Sequence, residues 1–355
     1  MATYKQSGVD VKLGDICSKI MSKASDKTFG NRKGKIGEVK VLEKKGLHRL
    51  ITISFGKYKL MLNSDGIGTK VEFAERMNKH STMAYDLFAM LCDDSVRYGA
   101  EPVAISNVLD VNKLDERIIT VLARGMTKAA KDAGVAVISG EIAELGKRID
   151  GYGNYNYNWG GTVLSFLKKE IKGEKIKPGN FIIGLQEKGF RSNGLSLVRK
   201  VMGKKYGKQW HRKTVDGKMI CKYALMPSKI YAGTVSKMFD YVNGIAHITG
   251  GGIPGKLGRV LKKKKYGADI YNSFTPSWLM LHCQKIGNVR DREAYKVWNM
   301  GQGMLIVTDK PKKIMTIASE DGIKAKVVGE IIQEPVIKIK STGYFNKDKI
   351  ITFPL

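Results

Sequence analysis

The strand and helix signals in this chain run through its first half, stop at one polar segment, and then begin again. The segment is Lys168–Asn180 (KKEIKGEKIKPGN), charged and carrying the turn signal Pro178-Gly179. Before it, alternating apolar residues over Leu50–Leu60 predict a hairpin around Gly56. Helical spacing predicts helices over His80–Tyr98 and Asp115–Ala133, with strands at Pro102–Val111, Gly134–Ser139 and Trp159–Leu167. After it come a strand at 181–185, a helix over 194–203, a helix near Pro227–Val242, a strand at 244–249 and a helix over 253–261. Further strands and a helix follow to the end. Such a pattern implies an α/β (α+β) chain of two mixed domains. We expect a mobile arm over 1–40, glycine- and lysine-rich and weakly periodic, then an N-terminal domain over 41–168 and a C-terminal domain over 169–355.

A length of 355 residues allows two domains with real cores, and a hydrophobic share of 43% is ordinary for them. No apolar run approaches the length that crosses a bilayer, and the first residues lack the layout of a signal peptide. Cys17, Cys92, Cys221 and Cys283 are far apart with no CxxC pair, which predicts reduced thiols in a cytoplasmic protein. The 62 Lys and Arg residues against 33 acids give a net charge of +29. The lysines are spread along the chain, the densest run being Lys262–Lys265, and there is neither an RNA-binding aromatic signature nor a zinc knuckle. Nucleic acid is therefore not the expected main partner. A basic surface solvated by water, or one that steers polyanionic small substrates inward, fits better.

Four constellations carry chemistry. In the first, acids stand on or at the exits of ordered elements: Asp65 in KLMLNSDGIGTKVEFA, Asp93-Asp94 on a helix, and Glu141 after GVAVIS. Asp86 lies seven residues before Asp93 and shares its helix face. Carboxylates that converge repel unless a cation sits among them, and Mg²⁺ with phosphate oxygens is the usual solution. Each acid could instead cap a helix or pair with a lysine. Glycines beside Asp65 (Gly66, Gly68) and Glu141 (Gly140) favour the first reading, because they let backbone N–H groups approach a phosphate.

The second is Phe190–Lys200, where Ser192 and Asn193 hold the expected N-cap position and Gly194 opens a helix; such a terminus caps itself or holds an anion. The third is Ala246–Leu261 (AHITGGGIPGKLGRVL). Gly250, Gly251 and Gly252 in a row, after Thr249, imply a close contact. Gly250, four residues, then Gly255-Lys256 nearly matches a P-loop, but Leu257 stands where Ser or Thr must ligate Mg²⁺, so only a phosphate or ribose cradle remains. His247 there is a ligand, a base or a structural histidine. The fourth is Tyr295–Val307, with Asn299, Gly301 and Gly303 before a strongly apolar strand.

In this order the segments resemble the phosphoribosylformylglycinamidine cyclo-ligases, also called aminoimidazole ribonucleotide synthetases. The resemblance runs from Tyr4-Lys5-Gln6-Ser7-Gly8-Val9-Asp10 through SDGIGTK, DLFAMLCDDSVRYGAEP, SGEIAEL, RSNGLSLVRK, AHITGGG and IGNVRDREAYKVWNMGQGM to VVGEI. It implies ATP- and Mg²⁺-dependent closure of the imidazole ring of a purine precursor, by phosphorylation of a formamide oxygen. It implies that Asp65, Asp94 and Glu141 are metal and nucleotide residues, with Gly66, Gly68, Thr69, Lys70 and Gly140 near phosphate. Lys70 is assigned to phosphate or to structural support. Asn193 joins the catalytic set, and Arg191, Ser192, Gly194, Thr249, Gly250, Gly251, Gly252 and Asn299 the contacts to a phosphoribosyl substrate. It further implies a homodimer whose N-terminal halves pair into a shared barrel, an α/β sandwich for the C-terminal half, and an arm that folds over the nucleotide.

The chain also departs from the family. GGETAEMP in relatives is Ser139-Gly140-Glu141-Ile142-Ala143-Glu144-Leu145-Gly146 here, and HSNG is Arg191-Ser192-Asn193-Gly194. A guanidinium does not titrate usefully, so Arg191 cannot handle protons as a histidine would. The glycine-rich arm is charged over Gly30–Gly37, and YDxAG appears as Asn156-Tyr157-Asn158-Trp159-Gly160. The rival expectations are a member with weakened catalysis or another substrate, and a basic protein that holds nucleotide or nucleic acid without turnover.

Overall fold

The computed structural model describes residues 3, 4, 7, 11–45 and 48–355. Of the opening motif, Lys5, Gln6, Gly8, Val9 and Asp10 lie outside the described residues. The first half consists of α1 (Val11–Thr28), β1 (Val39–Lys45), β2 (His48–Phe55), β3 (Tyr58–Gly66), α2 (Lys70–Met77), α3 (Met83–Val96), β4 (Ala100–Val111), α4 (Glu116–Ala133), β5 (Ala136–Glu144) and β6 (Tyr157–Leu167). Its six strands form one sheet in the order β1-β2-β3-β6-β4-β5. Only β4 and β5 pair in parallel, and a parallel pair needs a long crossover, which α4 supplies. α4 begins where the Asp115 side chain accepts hydrogen bonds from the N–H groups of Arg117 and Ile118, at 3.0 and 3.2 Å. It ends at Gly134, whose φ of +69° closes the helix in the left-handed region.

One face of this sheet is covered. Ile105, Leu109 and Val163 are buried on the side where α3 packs, and the Asn63 amide donates to Leu91 O of that helix at 3.3 Å. α3 is apolar nearly all round and is accordingly buried nearly all round, between the sheet and the second half of the chain. The opposite face is open. Leu62 lies beside Leu164, and Val108 beside Gly160, with Ser64, Thr162 and Ser106 between them. Leu62 and Val108 are 57% and 45% exposed there.

The second half runs β7 (Phe181–Gln186), α5 (Leu195–Tyr206), β8 (Thr214–Val215), β9 (Lys218–Met219), α6 (Ile220–Ala224), α7 (Ala232–Ser236), β10 (Gly244–His247), α8 (Gly252–Leu261), β11 (Gly267–Ile270), α9 (Trp278–Gly287), α10 (Asp291–Val297), β12 (Gln302–Thr308), α11 (Pro311–Glu320), β13 (Ala325–Ile332), β14 (Val336–Lys340) and β15 (Ile350–Pro354). Seven of its strands form a second sheet, β10-β12-β7-β13-β11-β14-β15. β12 is buried at every position, as its unbroken apolar run requires. The mixed α/β class is thus present in both halves.

Four local expectations are corrected. Residues 11–28 form a continuous helix rather than an irregular arm: Leu13, Ile16 and Ile20 recur at helical spacing, no proline interrupts, and Arg49 of β2 bonds Asp26 on it. The helix expected near Pro227–Val242 shrinks to Ala232–Ser236 and a 3₁₀ turn, because the chain before it is drawn out to donate N–H groups to buried acids. β5 continues to Glu144, so Glu141 lies inside a strand. Finally, the N-cap of α5 is Gly194 itself, not Ser192 or Asn193. No helix among the described residues is long and apolar enough to cross a membrane.

Candidate active site

α3 carries three acids, and the fold gives each a different environment. Asp86 and Asp93 share the face turned to the second half, as their spacing dictates. Asp86 receives the Lys70 ammonium at 2.6 Å and both the hydroxyl and the N–H of Ser228; Lys70 also donates to Met226 O at 2.6 Å. Both side chains are wholly buried. Burial pushes the Asp86 carboxyl up, and Lys70 and Ser228 oppose it. Of the two roles expected for Lys70, this geometry provides structural support; its ammonium does not reach the surface for a phosphate.

Asp93 accepts from Arg191 Nη2 at 2.7 Å and from Tyr231 N at 2.8 Å. The same guanidinium donates to Glu187 at 3.2 Å, to Lys229 O at 2.8 Å and to Ala89 O at 3.3 Å. Arg191 is fully buried at a φ of +58°, a backbone position uncommon for a residue with a side chain and held here by this ring of acceptors. The expected substrate contact at Arg191 is therefore corrected: its side chain ties α3 to the loop after β7.

A fifth partner of Arg191 fixes a proton. Arg191 Nη2 lies 2.9 Å from His247 Nε2, and guanidinium nitrogens only donate, so Nε2 must be the acceptor. The ring proton is then on Nδ1, 3.1 Å from Asp94 Oδ1, and donates to it. Burial pushes the His247 pKa down to about 4, with the Arg191 charge adding to that, so the ring is neutral. In this state it orients Asp94.

Asp94, next in sequence to Asp93, turns the other way. Its Oδ1 also receives Arg97 Nε at 3.1 Å. Burial raises its carboxyl, but Arg97, His247 and Lys256 outweigh burial and hold it well below the usual carboxylate range. Asp65, near the end of β3, accepts from Gly66 N at 2.8 Å and is pushed up to about 6 by the protein crowded around it, the Asp94 charge adding to this. The Lys256 ammonium on α8 joins the two acids; burial pulls it down to about 8, while Asp94 and Asp65 pull it up. Neither Asp65 nor Lys256 makes an ion pair or a side-chain partner bond among the described residues. The three groups thus lie within electrostatic reach of one another, and Asp65 and Lys256 have no closed set of partners among the described residues.

The expected neighbours of these acids fall into groups. Gly66, Gly68 and Thr69 form the turn from Asp65 into α2; Gly68 has a φ of +68°, and Thr69 is exposed without capping its helix. Gly250 packs against Asn193, whose Oδ1 would lie 3.3 Å from a Cβ there, and Gly251 has a φ of +93°, so the triple glycine allows the close approach at the start of α8. Thr249 is buried, its carbonyl accepting from Gly252 N at 2.9 Å. The Ser192 hydroxyl is buried with no partner among the described residues, and Gly194 is demanded by Trp298, which a Cβ would strike. Asn299 instead ties Gly189 O (2.8 Å) to Gly301 N (2.9 Å), a structural post.

Glu141 does not join this group within one protomer. It is aligned with Val108 and Gly160 on the open face of the sheet, whereas Asp65 is aligned with Gly161 and Asn107 on the other. Three inter-strand steps separate them, on the order of 14 Å. Gly140 packs against Asn107. Among the described residues no three acids, histidines or cysteines gather as a ready metal site. Two hard carboxylate donors remain in Asp65 and Asp94, which suits Mg²⁺ completed by phosphate oxygens and water rather than by protein. Lys256 and Arg97 escape the sequence reading. The near P-loop spacing contains Lys256, and Leu257 excludes only the metal-ligating part of that motif.

Residues 49–164 match the family described as AIR synthase related protein, N-terminal domain, and residues 177–341 match its C-terminal domain. Proteins named phosphoribosylformylglycinamidine cyclo-ligase are similar over nearly the whole length. One from Methanococcus maripaludis is 37% identical over 93% of this chain and 92% of its own. One from Methanocaldococcus jannaschii is 36% identical over 94% and 93%, and one from Pyrococcus horikoshii 33% over 97% and 99%. The chain belongs to the AIR synthase related family. Among solved structures, the HypE–HypF complex shares the fold with a TM-score of 0.54 at 15% identity, covering 84% of this chain and 90% of that one. Thermotoga maritima PurL complexed with ADP does so at 0.51 and 17%; this chain spans only 43% of that longer one.

Proposed function

We infer that this chain is an ATP-dependent ligase that closes the imidazole ring of formylglycinamidine ribonucleotide, giving aminoimidazole ribonucleotide, ADP and phosphate. The observation that carries the reading is the run of relatives at 33–37% identity over more than nine-tenths of the chain, all named for that activity. The group around Asp65 and Asp94 suits the chemistry the reaction needs. An amide oxygen is a poor leaving group. It attacks the γ-phosphorus of ATP, the bond to the β-phosphate oxygen breaks, and ADP leaves. A substrate nitrogen then attacks the same carbon, the C–O bond breaks, and the oxygen departs with phosphate.

Asp65 and Asp94 would hold Mg²⁺, which when bound neutralises charge on the triphosphate. His247 and Arg97 keep Asp94 ionised and oriented. Lys256, which feels the charge of both acids, would add positive charge to the transferring phosphoryl. The N–H groups at the start of α8, opened by Gly250–Gly252, would hold phosphate, with Gly66, Gly68 and Thr69 on the opposite wall. Ser192 and Asn193 would meet the phosphoribosyl substrate. The titratable histidine of the family is absent at Arg191, and His247 is fixed as a neutral donor, so neither serves as the proton acceptor in this state.

A homodimer is part of the reading. Leu62 and Val108 on the open sheet face, 57% and 45% exposed, and Ile138 at a bulge of β5, 70% exposed, support a second copy packing there. Glu141 lies on that face, so any share it takes in nucleotide binding belongs to the dimer. A cytoplasmic setting suits four free cysteines, three of them buried. The test is direct: purified protein with ATP, Mg²⁺ and formylglycinamidine ribonucleotide releases ADP and aminoimidazole ribonucleotide in equal amounts. Saturating substrates without product overturn the assignment.

A further inference from the structure

Apart from the candidate site lies a recess that the proposed reaction does not use. It has a volume of about 430 Å³ and is walled by α1, the end of α3 and the C-terminal half of α8. Six cationic side chains line it: Lys19, Arg97, Lys172, Arg259, Lys262 and Lys263. Only two acids, Asp15 and Glu43, stand among them. Some of the charge is answered locally. Lys263 is 3.5 Å from Glu43 and 3.4 Å from Glu174, and Lys172 pairs with Glu170. Arg259 reaches Asp15 only at 4.0 Å, and no ion pair engages Lys19 or Lys262 among the described residues. Ile171, Ile245 and Val260 supply the apolar part of its lining.

The recess is separate from the triple-glycine cradle. α8 has ten residues and so spans about 15 Å, with Gly252 at one end and Lys262 just past the other. The two places share one residue. Arg97 lines the recess with its guanidinium while its Nε holds Asp94 Oδ1 at 3.1 Å. An anion drawn to that guanidinium would compete with Asp94 for it.

We propose that this recess binds a phosphorylated small molecule of nucleoside monophosphate make, its phosphate among Lys19, Lys262 and Arg259 and its ring on Ile171, Ile245 and Val260. Occupancy there is reported to the candidate active site through Arg97 and Asp94. The volume is in the range of small-ligand pockets, and an apolar lining with a few convergent charges is how such pockets orient a ligand.

The probe is AMP, titrated calorimetrically into the full-length protein in EDTA. Without a divalent cation the Asp65–Asp94 pair repels anions, so the main site is not competing. AMP is expected to bind at least ten-fold tighter than inorganic phosphate. The double variant Lys19→Glu/Lys262→Glu, both exposed residues, is expected to lose ten-fold or more in AMP affinity at an unchanged unfolding midpoint. Lys256→Met is expected to leave AMP affinity within two-fold. Absence of AMP binding, equal affinity for phosphate, indifference to the double variant, or an equal loss in Lys256→Met each overturns the proposal. The coupling rests on the ligase reading and is read separately: at saturating ATP and Mg²⁺, AMP changes the rate of ADP release in the wild type and not in the double variant. An enzyme without ligase activity leaves the binding titration to decide the site by itself.

Discussion

Two polar clusters meet at α3, and they are built on opposite plans. On one face, Lys70 and Arg191 meet Asp86, Asp93 and Glu187 through carboxylate, carbonyl and ring acceptors, with Arg191 Nε and Asp86 Oδ2 the buried atoms left without a partner among the described residues. On the other, Asp65, Asp94 and Lys256 stand together with Asp65 and Lys256 lacking a closing partner. The first is what a fold does with charge it must bury: it pairs each charge with an opposite one, because an unpaired buried ion costs several kcal/mol. The second leaves Asp65 and Lys256 without a closing partner, and burial raises the first, with the Asp94 charge adding to it, and lowers the second against the pull of both acids. Adjacent residues, Asp93 and Asp94, belong to different clusters because successive positions on a helix point about 100° apart.

The largest expected effect follows from Asp65. Asp65→Asn keeps shape and the Gly66 bond but removes the charge. Turnover is expected to fall by roughly 10³-fold or more, measured as ADP release, as when a group that stabilises transferring charge is lost. The thermal midpoint should hold or rise slightly, since the crowded carboxylate is a destabilising charge in the free protein. A variant that unfolds early yet turns over normally would move Asp65 into the structural cluster.

Arg191→Met makes the converse case. It strands Asp93 and Glu187 in the interior, and breaking a buried pair by removing one partner costs about 3–5 kcal/mol. Denaturant unfolding should show that loss. Activity per folded molecule should fall far less than in Asp65→Asn. If stability is unchanged and KM for the phosphoribosyl substrate rises instead, the guanidinium contacts substrate after all and the two clusters are one site.

Lys256→Met tests the open cluster's cation. Loss of one positive group beside a transferring phosphoryl is expected to lower kcat/KM for ATP by about 10- to 100-fold, the scale of a single charge-assisted contact. Lys256→Arg should recover part of it, and stability should stay near wild type.

How far this contrast could be read before the structure varies by residue. The alternation of strands and helices, and the break at Lys168–Asn180, are local properties carried by apolar periodicity, and they appear as expected. Asp65 draws attention in the sequence because glycines flank it, and the triple glycine because such a run is costly in chain entropy. Arg191 misleads, and the role of Lys70 stays open between two, for one physical reason: whether a cation faces solvent or a buried carboxylate depends on residues about 100 and 16 positions away, and nothing local encodes that. Glu141 is parted from Asp65 within one protomer by register. A strand longer than its apolar core sets which face a side chain takes, and a shift of one residue reverses it. Helix α1 shows little as sequence because its apolar stripe is interrupted by lysines.

The smallest effect concerns the residue that joins the two clusters. His247 accepts from Arg191 on one side and donates to Asp94 on the other, and burial holds its pKa near 4 against an ordinary value near 6.5. A histidine whose folded pKa is depressed is protonated more readily in the unfolded chain. Between pH 6.5 and 4 the unfolded state therefore takes up the proton first, and the contribution of His247 to stability falls as pH falls through that window. His247→Asn removes the titration. The stability of the wild type minus that of the variant should thus decline from pH 7 to pH 5, by about 1–2 kcal/mol, as followed by urea unfolding at each pH. A difference that rises instead would mean a ring protonated in the fold. Arg191 Nη2 could not then sit against Nε2, and the partition between the paired and the open cluster would lose its boundary.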